Sequence, residues 1–73
     1  MTKIETAAEA RAMFLANDAD AIEEVANQWW LSLTGEQVVC GVDPNGDVWL
    51  FEDTSLTNAQ LVLFANYARE TWN

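Results

Sequence analysis

Val38 to Glu52 reads VVCGVDPNGDVWLFE, two apolar runs joined by Asp43-Pro44-Asn45-Gly46-Asp47. β-Branched and aromatic residues on both sides of a Pro/Asn/Gly cluster predict a β-hairpin, with strands over Val38–Val42 and Val48–Glu52. Proline at the second turn position and glycine at a left-handed position suit a type I turn closed by a G1 bulge. That turn fixes the register. Asp43 faces Asp47, Val42 faces Val48, Gly41 faces Trp49, Cys40 faces Leu50, and Val39 faces Phe51. Val38, Cys40, Val42, Val48 and Leu50 share one face, and Val39, Gly41, Trp49 and Phe51 share the other. Gly41 is expected to leave room for the Trp49 ring across the pair.

The flanking segments read as helices. On the N-terminal side, Ala7, Ala10, Met13 and Phe14 recur at helical spacing within roughly Glu5–Asn17, and Asn17-Asp18 ends the run. A second helix begins near Asp18 or Asp20, where Asp20 and Glu23 stand at capping-box spacing. Its inner face is Ile22, Val25, Ala26, Trp29 and Leu33. Trp30 points about 100° away from Trp29 and need not join that core. Gly35 is placed to stop the helix. Beyond the hairpin, Thr57 and Gln60 form a capping box, and Leu56 is placed to staple onto Leu61. Leu61, Phe64, Ala65, Ala68 and Trp72 make the inner stripe of the last helix, widened by Leu63 and Tyr67. One hairpin is marginal alone in water, so helices must cover at least one of its faces. The expected fold is a single α+β domain over 1–73, ordered α-α-β-β-α, with a two-stranded antiparallel hairpin packed on helices.

Charge is the other strong signal. The net charge is -9, with twelve acids, three cations and no histidine. Between Ala12 and Ala68 there are nine acids and no lysine or arginine. Half the residues are apolar and eight are aromatic, which separates this chain from disordered acidic tails. The charge disfavours nucleic acid and anionic membranes as direct ligands. It favours a basic protein or nucleoprotein complex.

Catalysis and cofactors find little support in these residues. Cys40, the one cysteine, reads as a buried, inert small hydrophobe in mid-strand. Carboxylates at a hairpin tip are kept ionised by solvent, which suits acid–base work poorly. Asp43-x-Asn45-x-Asp47 resembles the start of a calcium loop, but its glycine comes at the fourth position and the twelfth residue is Thr54. No metal or cofactor is expected, and the chain is read as a binding protein rather than an enzyme. One cysteine allows no intrachain disulfide, the N-terminus lacks a signal-peptide core, and no apolar run approaches a membrane span. A bacterial cytoplasmic location is expected.

Nine residues are candidates for contact with the partner: Asp43, Asp47, Glu52, Asp53, Asp20, Glu23, Glu24, Trp30 and Trp49. Asp20, Glu23 and Glu24 also suit the positive end of a helix dipole. Asp43 and Asp47 have no such local reason. Like charges opposed across a hairpin are destabilising, and their reversal to lysine is expected to leave the fold intact or slightly firmer. Trp30 and Trp49, less easily placed in a core, are candidate interface anchors.

In size, charge, compactness and lack of histidine the whole chain resembles the small inhibitor proteins of phages and mobile elements, the anti-CRISPR proteins foremost. The resemblance is carried by these bulk properties rather than by a motif. It implies an inhibitor that presents carboxylates where a CRISPR effector subunit expects DNA or guide-RNA phosphates. A globule of this size spans on the order of 30 Å, and duplex of that length carries ~17 phosphates, more than twelve acids on all faces can match. A short phosphate track, such as a PAM-reading cleft, is the better fit. Two alternatives stand beside this reading: an immunity protein or antitoxin that neutralises a basic nuclease toxin, and an accessory subunit that docks through the two-sided hairpin. Oligomeric state is left open.

Overall fold

A computed structural model of the chain describes residues 3–37, 41–51 and 54–72. Thr6 caps the first helix, α1 (Ala7–Leu15), accepting the Glu9 amide at 3.2 Å while its hydroxyl donates to Glu9 Oε1 at 3.1 Å. Asn17 ends the helix by donating its side-chain amide to the Met13 carbonyl at 2.7 Å. Ala10 and Phe14 are buried, and Ala7 and Met13 pack against the core.

The second helix, α2 (Ala19–Thr34), starts two residues earlier than a cap at Asp20 requires. Asp18 is the N-cap residue, with no side-chain capping bond, and Asp20 falls inside the first turn. The expected Asp20–Glu23 box is therefore not the start signal. At the other end Gly35 adopts φ 76° and donates its amide to Leu31 O at 2.8 Å, as an αL stop does. Ile22, Val25, Ala26 and Trp29 are buried as expected. Leu33 is not: it is 61% exposed.

The sheet has three antiparallel strands in the order β1-β2-β3: β1 (Gly41–Val42), β2 (Val48–Phe51) and β3 (Thr54–Ser55). The register read from the turn holds where it is described, with Gly41 opposite Trp49 and Val42 opposite Val48. The turn itself closes through Gly46 N–H to Asp43 O and Asp43 N–H to Asp47 O, each 3.0 Å, with Gly46 at φ 90°. Val38, Val39 and Cys40, including the inert-thiol reading of Cys40, lie outside the described residues, as do Glu52 and Asp53. The strand β3 is an addition to the expected hairpin. Two polar, exposed residues give no alternating signal, yet Leu56 N–H donates to Val48 O at 2.9 Å and draws the chain back along β2. A register shift lies between Trp49 and Phe51.

The third helix, α3 (Asn58–Trp72), opens with the expected box. Gln60 N–H donates to Thr57 Oγ1 at 3.2 Å, and Thr57 N–H to Gln60 Oε1 at 2.9 Å. Leu56 and Leu61 are both buried.

Val48 and Leu50 project from β2 into a core shared with all three helices. Phe64 lies at its centre, with ring centroids 5.3 Å from both Phe14 and Trp29. Two expected members stay outside: Leu63 is 63% and Trp72 38% exposed. Trp72 was expected on the inner stripe but lies in the last described turn of the helix, beyond the residues that pack on the core. The molecule measures 30 × 23 × 22 Å. None of the described helices is long and apolar enough to cross a membrane.

Candidate partner-binding surface

Asp43 and Asp47 were singled out because nothing near them in sequence compensates their charge. The fold supplies the compensation from α1. Arg11 Nε donates to Asp47 Oδ1 at 2.9 Å, and its Nη2 donates to Asn58 Oδ1 at 2.8 Å. One guanidinium thereby ties α1 to the hairpin tip and to the first turn of α3. It is the one ion pair among the described residues. Gly46 is buried against the same turn of α1, so close that a Cβ there would lie 2.8 Å from Arg11 O.

Asp43 is equally engaged. Its Oδ1 accepts the backbone N–H groups of Asn45 at 2.9 Å and Asp47 at 3.0 Å, and its Oδ2 accepts the Trp49 indole N–H at 3.0 Å. The indole bond is the main reason its carboxyl is held below the ordinary value of 3.8. Partial desolvation works the other way, and the turn amides of Asp47, Asn45 and Gly46 reinforce the lowering. The opposed pair is thus a built corner rather than an unexplained repulsion. Asp43 organises the turn and Asp47 receives a cation. The expectation that reversing both leaves the fold unharmed is corrected by these contacts.

Trp49 is half-buried, and its ring is held toward Asp43. The space over Gly41 is not filled by it: a Cβ at Gly41 would meet nothing within 4 Å. Trp30 is half-buried too, and packs on the core beside Trp29 with ring centroids 6.1 Å apart. Part of its surface faces outward, so neither the fully external nor the fully internal placement describes it.

The α2 acids are differently placed. Asp18, Asp20 and Glu24 are exposed and Glu23 half-exposed. None makes an ion pair within the described residues. At 100° per residue, Asp20, Glu24 and Leu31 fall in one row opposite the buried Ile22, Val25 and Trp29, with Glu23 and Trp30 along one flank. Leu31 is 39% exposed. Sequence reading counted the acids and Trp30 but passed over Leu31, whose position opposite the core stripe is the signal that finds it. Arg11 was missed for another reason. Its partner lies 36 residues away, and no local pattern reports such a contact.

Among the described residues, no group of three or more acids, cysteines or histidines is arranged to hold a metal ion. The Asp43-x-Asn45-x-Asp47 resemblance to a calcium loop is accounted for by the turn bonds and the Arg11 pair. No family model matches the chain, and neither curated proteins nor solved structures give a significant match to it.

Proposed function

We propose that this protein is an inhibitor of the anti-CRISPR type, which binds a basic nucleic-acid-binding complex and sets carboxylates in its phosphate site. One observation supports the reading above others: among the described residues the exposed or half-exposed α2 acids make no ion pair, while the one ion pair there is spent on Asp47. A negative face with no ion pair among the described residues is complementary to a surface built for phosphate, and such complementarity speeds encounter and fixes orientation. The weight of the reading lies on Asp20, Glu23 and Glu24 with the adjoining Asp18. Asp43 and Asp47 contribute less outward charge, since both Asp43 oxygens accept hydrogen bonds and Asp47 Oδ1 is paired with Arg11. Glu52 and Asp53 belong to the proposal by sequence alone. The protein works by binding rather than by catalysis, within the bacterial cytoplasm.

The test is competition. Targets captured from cells carrying candidate nucleases are mixed with labelled DNA and the inhibitor. Binding that falls as DNA rises, weakens with salt, and weakens again in Asp20→Asn/Glu24→Gln supports the proposal. Inhibition unchanged by saturating DNA and by these substitutions overturns phosphate mimicry. Recovery of a nuclease toxin instead of a CRISPR effector selects the immunity-protein alternative.

A further inference from the structure

We infer that Trp49 and Asp43 form a receptor for one arginine side chain of the partner, on the sheet face turned away from the core. The inference rests on the acidic-inhibitor reading above, because arginine is the side chain with which proteins grip phosphate, and it names the group that the hairpin takes. Trp49 alternates with the buried Val48 and Leu50 and does not pack on the core. Its neighbours across the sheet are Gly41 and Ser55, both too small to cover an indole. A Cβ at Gly41 would meet nothing within 4 Å, so open space lies beside the tryptophan. The indole N–H donates to Asp43 Oδ2 at 3.0 Å, which orients the ring before any partner arrives.

The remaining valences select the occupant. A carboxylate offers about four acceptor sites. Asp43 Oδ1 accepts two backbone N–H groups, whereas Oδ2 accepts the indole alone. Oδ2 therefore has room for one more donor, next to the π-face of the ring that already donates to it. A cation satisfies both, since carboxylate and ring face each attract positive charge. Guanidinium fits better than ammonium, because it is planar and can stack on an indole while an edge N–H donates to a carboxylate. Asp43 stays ionised well into acid, its carboxyl being held below the ordinary value. Among the described residues no cation pairs with Asp43. Arg11 is committed to Asp47 and Asn58, and the sequence has no lysine or arginine between Ala12 and Ala68. A second copy of the chain, with its own charge of -9, is opposed by repulsion.

The experiment uses the full chain, isotope-labelled, and short end-blocked peptides Gly-Gly-X-Gly-Gly in which X is arginine, lysine or citrulline. Citrulline keeps the planar shape of arginine and loses its charge. At about 0.15 M salt, where exposed charges are screened beyond ~8 Å, the arginine peptide should shift the Trp49 indole N–H and the amides of Asn45 and Asp47. It should bind about threefold tighter than the lysine peptide and about tenfold tighter than the citrulline peptide. Gly41→Val fills the open space with a residue suited to a strand and leaves carboxylate and indole in place. It should fold as firmly as wild type and weaken arginine binding about tenfold. Trp49→Leu should erase the preference for arginine over lysine with an unchanged circular-dichroism spectrum. Arginine binding no tighter than lysine or citrulline, shifts centred on residues 18–24, or unchanged arginine affinity in Gly41→Val overturns the proposal. Peptide-free shifts that grow with protein concentration would make a second copy the occupant and overturn it as well. The two readings fail separately. If DNA competes at the captured target while the arginine peptide does not bind the hairpin, the receptor is wrong and phosphate mimicry stands. If the arginine peptide binds at Trp49 while DNA does not compete, the receptor stands alone.

Discussion

Two groups of acids in this small domain are used in opposite ways. At the hairpin tip, Asp43 and Asp47 accept four hydrogen bonds from the turn amides, the Trp49 indole and Arg11. On α2, Asp18, Asp20, Glu23 and Glu24 have no ion-pair partner among the described residues. The first group holds three elements together, whereas the second adds charge to a helix already anchored by its buried face. An acid that strains a local rule is therefore not by that fact a functional acid. The search for a phosphate-mimicking face belongs where the fold asks nothing of the charge.

The comparison breaks most readily at Gly46. Its φ of 90° is unfavourable to any side chain, and Arg11 O stands where a Cβ would go. Gly46→Ala should cost at least about 2 kcal/mol, read by urea denaturation. Gly35→Ala, at φ 76° with open space around it, should cost only about 1 kcal/mol. Equal losses at the two glycines would mean that the tip does not rest on α1.

The ion pair comes next. Arg11 and Asp47 are each about one-third exposed, so Asp47→Asn should cost about 1 kcal/mol. A double-mutant cycle with Arg11→Met should return a coupling of roughly 0.5–1 kcal/mol. No coupling would return Asp47 to the company of the α2 acids.

Asp43 is tested with pH. Its folded value lies below the ordinary 3.8, so its stabilising contribution is complete above that value. It is lost as pH falls through the lowered one. The stability difference between wild type and Asp43→Asn should be constant from neutral pH to about pH 5 and shrink on approach to about pH 2. A difference that grows with acid would contradict the geometry.

The smallest effect is expected on α2. Glu24→Gln should change stability by less than about 0.5 kcal/mol, with relief of the Asp20 repulsion as its only local consequence. A loss near that of Asp47→Asn would show that α2 carboxylates also have structural work, and would weaken the proposed partner face.

What the sequence discloses follows the range of the forces involved. The hairpin register, the Thr57–Gln60 box and the Gly35 stop were legible because each is set by residues within a few positions. The inner stripes of the helices were legible in direction but not in extent. Leu33, Leu63 and Trp72 were assigned inward and remain exposed, since periodicity does not say how far the neighbouring elements reach. The strand β3 is too short and polar for any pattern. The Arg11 contact joins residues remote in sequence, so the candidate site could be listed as acids from the sequence but divided into two kinds only by the fold.

The Phe14–Phe64 contact carries a consequence for how the chain comes to be folded. These rings lie 5.3 Å apart but fifty residues apart in sequence. Asn66 likewise grips both the amide and the carbonyl of Ile4, at 3.0 and 2.9 Å. During synthesis, the apolar stripes of α1 and α2 have nothing central to close upon until Leu61 to Ala68 emerge. Contacts of such long span repay their loop-closure entropy only when made, so this helix-rich domain should fold slowly for its size and as one unit. Its first half alone is an unfinished surface, and loss of the last helix should leave no partial domain behind.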